Sequence, residues 1–188
     1  MKSQVNIRKI AFSGVIAAVY AAITMGLPFI SYGPFQFRIA EALTVLPFFF
    51  PFTIWGIFVG CIIANIMSPY WLDIIIGPIA SLLAGLCTMQ IGKIANSRVS
   101  MKALACFPPV AFNAVMIGAM IAFIVVGFED MYAFLSSTVI FGLQVGFGQL
   151  VVLYALGLPL LIVLEKTRLY RSLRQYYDKN NEHRGDIL

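Results

Sequence analysis

Apolar residues fill this chain in long runs, and most polar residues fall in the gaps between them. The first run extends from Ile10 to about Phe29 with no charged residue, and Pro28 with Gly33-Pro34 then breaks the chain into a loop. A second starts near Arg38 and runs into Pro47 and Pro51, and a third covers about Phe52 to Met67. A fourth spans Trp71 to about Ile91 and a fifth about Ala103 to Val126. The last begins at about Ala133 and is long enough to overshoot a bilayer, with Gly157 and Pro159 predicting a bend near its end. A full helical span takes about 20 residues. The pattern therefore predicts an all-α integral membrane protein of six transmembrane helices, the second and third short. Those two can equally be drawn as a hairpin that enters and leaves on one side. From about 166 to 188 the chain turns polar and mixed in charge, as a frayed surface helix would. Residues 1–188 read as a single transmembrane domain, and no internal repeat suggests an inverted-repeat carrier.

Composition sharpens this reading. The chain is 61% hydrophobic and 11% charged, where a soluble domain carries about 25% charged residues. Lys2, Arg8 and Lys9 precede the first run, Lys93, Arg98 and Lys102 follow the fourth, and Lys166, Arg168, Arg171, Arg174, Lys179 and Arg184 follow the last. By the positive-inside rule all of these are cytoplasmic, as are both termini, and Glu129 and Asp130 lie outside. Arg38 is the one Lys or Arg left over. The net charge of +5 follows from this topology and calls for no nucleic-acid partner. A signal peptide would have an apolar core of about 7–15 residues and a small-residue cleavage site. The first run is longer and lacks the site, so it reads as a retained helix in a multi-pass protein of the cell membrane.

Chemistry is sparse. Cys61, Cys87 and Cys106 each lie within an apolar run, far apart, and read as buried structural thiols. His183, the only histidine, is in the polar tail, which removes a histidine metal site or a Ser-His-Asp triad from the membrane. The chain has no phosphate-binding Gly-x-x-x-x-Gly-Lys-Ser/Thr loop, so uphill transport would draw on another subunit or a co-transported ion. No cofactor is expected.

The polar residues left within the runs are the candidate site. In Phe35-Gln36-Phe37-Arg38-Ile39-Ala40-Glu41-Ala42-Leu43, Arg38 and Glu41 are three apart, a spacing that shares one helical face. A charge costs roughly 2.5 to 3.5 kcal/mol to insert into a bilayer, so it is rarely kept without a use. The pair could pin the helix end at the interface, or form a polar floor for a small solute with groups from other helices. In the predicted topology Asn65 and Asp73 reach the same outer level, beside Tyr70 and Trp71, while Asn113 and Gln144 lie deeper. Tyr32, Phe35 and Phe37 add aromatics there, an arrangement suited to a planar polar solute. Trp71 and Tyr70 could instead form an interfacial belt, and Asn113 and Gln144 could bond between helices. In the first helix Ala11, Gly14, Ala18 and Ala22 recur at helical spacing with Ala17 and Ala21 alongside, and small residues four apart allow close helix packing, inside the protein or against another subunit.

Three segments, Arg38-Ile39-Ala40-Glu41-Ala42-Leu43, Gly60-Cys61-Ile62-Ile63-Ala64-Asn65 and Asp73-Ile74-Ile75-Ile76-Gly77, resemble the QueT family in that order. The likeness runs from the first helix to the sixth and excludes the tail. It implies an S component, the substrate-binding subunit of an energy-coupling-factor (ECF) transporter for queuosine precursors. Such subunits are six-helix proteins that bind a vitamin-like solute at the outer side. They dock on a transmembrane coupling subunit driven by two ATPase subunits. The resemblance implies docking through an Ala-x-x-x-Ala motif in the first helix, matched by Ala18–Ala22 or Ala17–Ala21. The expected ligand is a 7-deazaguanine-type precursor whose ring stacks on aromatics. An ionised Glu41 would accept from its ring N–H and amine, and Asp73 would suit an aminomethyl cation. Another vitamin or nucleobase-like solute, a membrane enzyme using Glu41 and Asp73 as acid and base, and a non-transporting assembly protein are the rival readings. Lipid is the remaining expected partner.

Overall fold

The computed structural model describes residues 7–33, 35–95, 98–167 and 170, and every regular element among them is helical. The elements are α1 (Ile7–Gly26), α2 (Pro28–Ser31), a 3-10 helix (Ile39–Phe48), α3 (Thr53–Asn65), α4 (Asp73–Ile94), α5 (Val99–Ala105), α6 (Phe107–Val126), α7 (Met131–Val152), a π-helical turn (Leu153–Gly157) and α8 (Leu158–Lys166). Four stretches are long and apolar enough to cross a membrane: Ile7–Gly26, Asp73–Ile94, Val99–Val126 and Met131–Lys166. Ile39–Phe48 and Thr53–Asn65 are the expected short pair. The tail beyond Thr167 lies outside the described residues except for Tyr170, as do Lys2 and the tail's basic residues.

The second run differs from expectation in kind. It is a 3-10 helix, and Arg38 stands before it with extended backbone angles, φ −74° and ψ 96°. Ten residues at about 2.0 Å rise reach about 20 Å, much the same as the thirteen α-helical residues of α3 at about 1.5 Å each. The turn joining them lies deep. A Cβ on Gly92, near the end of α4, would overlap the Phe48 carbonyl, and Ser13 near the start of α1 donates to the Phe52 carbonyl at 3.0 Å. The hairpin thus runs from the Asp73 end of α4 to its Lys93 end, nearly the full depth of the bundle.

Small residues set the two tightest helix contacts. On α3, a Cβ at Gly60 would stand 2.8 Å from the Ala17 carbonyl, and one at Gly56 would overlap Ser13 backbone. On α6 and α7, a Cβ at Gly118 would meet the Gly142 Cα at 2.6 Å. In an apolar solvent such close approach supplies the van der Waals contact that hydrophobic drive cannot. The small residues of α1 accordingly divide. Ala17 and Ala21 are buried against the bundle, whereas Ala11, Gly14, Ala18 and Ala22 are exposed on the outward face.

The expected bend near Gly157 and Pro159 takes the form of the π-helical turn, in which the Leu158 N–H bonds the Leu153 carbonyl five residues back. Pro159 has no N–H to continue the ordinary ladder, which favours the wider register. Cys61 and Cys106 are buried as expected, but Cys87 is exposed, because it falls on the outward face of α4. At the Lys93 end, Lys102 forms an ion pair with Glu165 and lies 6.0 Å over the Phe49 ring.

Candidate functional site

The polar residues that interrupt the apolar runs meet at the other end of the bundle. Asp73 opens α4, where the positive end of the helix dipole favours a carboxylate. Its Oδ2 forms an ion pair with Arg38 and accepts from Ser68 Oγ at 2.9 Å. Arg38 also donates through Nε to the Ser31 carbonyl at 3.3 Å, and its guanidinium lies 5.5 Å over the Tyr32 ring. Asn65, at the end of α3, donates to the Asp73 carbonyl at 2.7 Å and to Cys61 Sγ at 3.4 Å. Gly77 leaves room for this, since a Cβ there would overlap the Asn65 amide and come within 2.8 Å of Asp73 Oδ1. Arg38, Asn65 and Asp73 are almost fully buried.

Arg38 therefore finds its ion-pair partner thirty-five residues on, in Asp73, and not in Glu41 one turn away. The reason is its position outside the helix, which frees it to cross to α4. Glu41 is held from α1 instead. Tyr20 Oη donates to Glu41 Oε1 at 2.6 Å, and both side chains are buried to 1% exposure or less. Asn113 of α6 adjoins the same carboxylate. A carboxylate offers about four acceptor positions, and the Tyr20 bond uses one.

Five buried polar atoms among the described residues have no hydrogen-bond partner: Glu41 Oε2, Asn65 Oδ1, Asp73 Oδ1, Asn113 Nδ2 and Gln149 Oε1. Native proteins leave few such atoms, and each costs about 1–3 kcal/mol. Groups left open in this way are ones that a polar ligand would satisfy. The five residues come from the 3-10 helix, α3, α4, α6 and α7.

Of the residues singled out in the sequence, Arg38, Glu41, Asn65, Asp73 and Asn113 are buried here. Trp71 is 67% exposed and Gln144 half-buried, and neither side chain makes a hydrogen bond among the described residues. Sequence reasoning missed Tyr20, Ser31, Ser68 and Gln149. The Tyr20 signal was present: Ala17, Tyr20, Ala21 and Thr24 keep the spacing of one helical face, and all four are buried. Aromatic rings stand beside this region, with Phe35, Phe37 and Phe147 at centroid distances of 6.0–6.3 Å.

A family model described as QueT transporter matches residues 10–166. The protein named Queuosine precursor transporter QueT, from Lactococcus lactis subsp. cremoris (strain MG1363), is 42% identical over 71 residues, which cover 37% of this chain and 42% of that relative. The chain thus spans less than half the length of this relative. No solved structure matches.

Proposed function

This chain belongs to the QueT transporter family, and we propose that it is the substrate-binding subunit of an ECF-type importer, capturing a 7-deazaguanine-type queuosine precursor. The observation that carries the reading is Glu41: a fully buried carboxylate in an apolar bundle, with Oε2 unpartnered. Burying a charge costs several kcal/mol even after relaxation, and a ligand that donates two hydrogen bonds in one plane would offset it. A guanine-like ring presents a ring N–H and an exocyclic amine side by side. An ionised carboxylate accepts both, through charge-assisted bonds about twice as strong as neutral ones. Asn113 beside it can face the ring carbonyl with its amide N–H. Arg38 opposes two buried carboxylates, Asp73 and Glu41. With Glu41 ionised, the excess negative charge would suit an aminomethyl cation on the precursor. Arg38, Asn65 and Asp73 form the wall of the site, with the loop aromatics above.

The described basic residues other than Arg38 fall at the opposite end of the bundle, consistent with a cytoplasmic Lys93 end and a site towards the outer face. The exposed stripe of Ala18 and Ala22 is the face offered to a transmembrane coupling subunit, whose two ATPases would supply the energy. The membrane enzyme is disfavoured by Asp73 being engaged with Arg38, which removes half of its acid–base pair.

Two measurements test the proposal. Mass spectrometry of ligand released from the purified protein should find a deazaguanine in about equimolar amount. Glu41→Gln keeps the size but turns an acceptor into a donor facing donors, so binding should weaken by at least about tenfold with folding retained. Unchanged binding would make Glu41 a structural anchor and remove the reading.

A further inference from the structure

The unpartnered atoms include one that no resemblance or spacing singled out. Gln149 on α7 is 1% exposed, and its Oε1 has no hydrogen-bond partner. Its position across from α6 follows from the register of that helix pair. Val110 and Leu153 share one core cluster, and Ile117 and Val145 share another. The two helices are antiparallel, so the buried positions midway between these layers, Asn113 and Gln149, lie at one level. A Cβ at Gly146 would lie 3.1 Å from the Ala114 Cβ, which fits the same register. Asn113 in turn adjoins Glu41. Three buried side chains from three elements therefore lie at about one depth, each with an atom left unsatisfied. The neighbouring Gly148 brings α7 hard against the Phe35–Gln36 backbone, since a Cβ there would overlap the Phe35 carbonyl. This ties Gln149 to the loop that carries Phe35 and Phe37.

We propose that Gln149 is a specificity-determining residue that reads the pyrrole edge of a deazaguanine free base, opposite the edge read by Glu41. The inference rests on the proposed function above and adds a discrimination that Glu41 cannot supply. A primary amide carries a donor and an acceptor side by side. The pyrrole edge of a guanine-like free base carries the complementary pair, a ring N–H and a ring nitrogen with a lone pair. The match sets the amide oxygen, the atom left unpartnered, against the ring N–H and the amide nitrogen against the ring lone pair. A sugar or methyl group on the pyrrole nitrogen removes that N–H and puts bulk in its place. A site built to bond a group rejects analogues that lack it, because its own buried atoms are then left unpaired. The site is thus selective for the free base over the nucleoside.

The test uses the purified full-length chain with two probes, 7-deazaguanine and its derivative methylated on the pyrrole nitrogen, titrated by calorimetry. Wild type should bind the free base at least about tenfold more tightly than the methylated one. In Gln149→Ala the free base should weaken and the preference should collapse to within about threefold, while Glu41→Gln should weaken both probes and keep the preference. If wild type binds both probes equally, the proposal is overturned whether or not any variant folds. If Gln149→Ala keeps the full preference, another group reads that edge and the proposal is overturned, although the deazaguanine reading stands. If wild type binds neither probe, the deazaguanine reading itself falls and takes this inference with it.

Discussion

Arg38–Asp73 and Lys102–Glu165 are ion pairs at opposite ends of the bundle, each joining residues far apart in sequence. Their surroundings differ. Around the first, Asn65, Ser68, Ser31 and Tyr32 supply further contacts, and all five unpartnered buried polar atoms belong to its neighbourhood or to the adjoining Glu41, Asn113 and Gln149. Around the second, Phe49 and the carbonyl-bound Thr88 and Tyr154 leave no such atom among the described residues. Glu165 is also 29% exposed on its side chain, whereas Asp73 is 0%. One pair is therefore finished by the protein and by solvent, and the other borders a set of groups that the protein leaves incomplete. An ion pair alone does not mark a site; unsatisfied neighbours do.

The largest test of this contrast removes the cation from each pair. Arg38→Met leaves Asp73 buried without its counter-charge, which costs about 3–5 kcal/mol. Lys102→Met leaves Glu165, which can take up water through its exposed side, and the cost should stay near about 1 kcal/mol. Thermal unfolding in detergent should separate the two variants clearly, and ligand binding should be lost in the first and kept in the second. Equal destabilisation would mean that the two ends do the same structural work.

A smaller effect is expected from Tyr20→Phe. The hydroxyl donates to Glu41 Oε1, so its removal leaves a second carboxylate oxygen without a protein partner. One such hydrogen bond is worth about 0.5–1.5 kcal/mol net. Binding should fall by roughly threefold to tenfold, and the ligand should protect the variant against heat by less than it protects wild type. A variant with normal affinity would show that Glu41 is oriented without α1.

The sequence made the envelope of the fold readable because length and composition decide what crosses a membrane. The six runs, the two short ones and the break near Pro159 all have local causes. The 3-10 geometry of Ile39–Phe48 was not readable, since its apolar content fits either kind of helix. The partner of Arg38 was missed for a related reason: spacing proposes neighbours along the chain, and Asp73 arrives from α4 only through tertiary packing. Gln144 and Gln149 illustrate the same limit. Both interrupt one apolar helix, and five residues turn them about 140° apart. α7 is apolar on nearly every side, so nothing in its pattern tells which glutamine faces inward; the structure buries Gln149 and leaves Gln144 half-buried. Asn113 and Asp73 were legible because a buried amide or carboxylate in a membrane helix is conspicuous wherever it faces.

The smallest expected effect on the molecule itself is also the most informative about its partners. Ala17 and Ala18 are adjacent on α1 but face opposite ways. Ala17 touches α3, where its carbonyl would lie 2.8 Å from a Cβ on Gly60, and Ala18 is exposed. A leucine at Ala17 must push α1 off α3, at an overpacking cost of about 1–3 kcal/mol. Because Tyr20 rides on the same helix, ligand affinity should drop with stability. A leucine at Ala18 meets nothing within the protein, so its stability should stay within about 0.5 kcal/mol of wild type and ligand binding should be unchanged. If this face docks on a coupling subunit, the added bulk keeps the two helices apart and uptake into cells should fail while binding in detergent persists. Binding and uptake measured side by side on the two variants therefore separate internal packing from docking. Normal uptake by stably expressed Ala18→Leu would remove the docking proposal, and weakened binding in that variant would mean that its outward face packs on the protein after all.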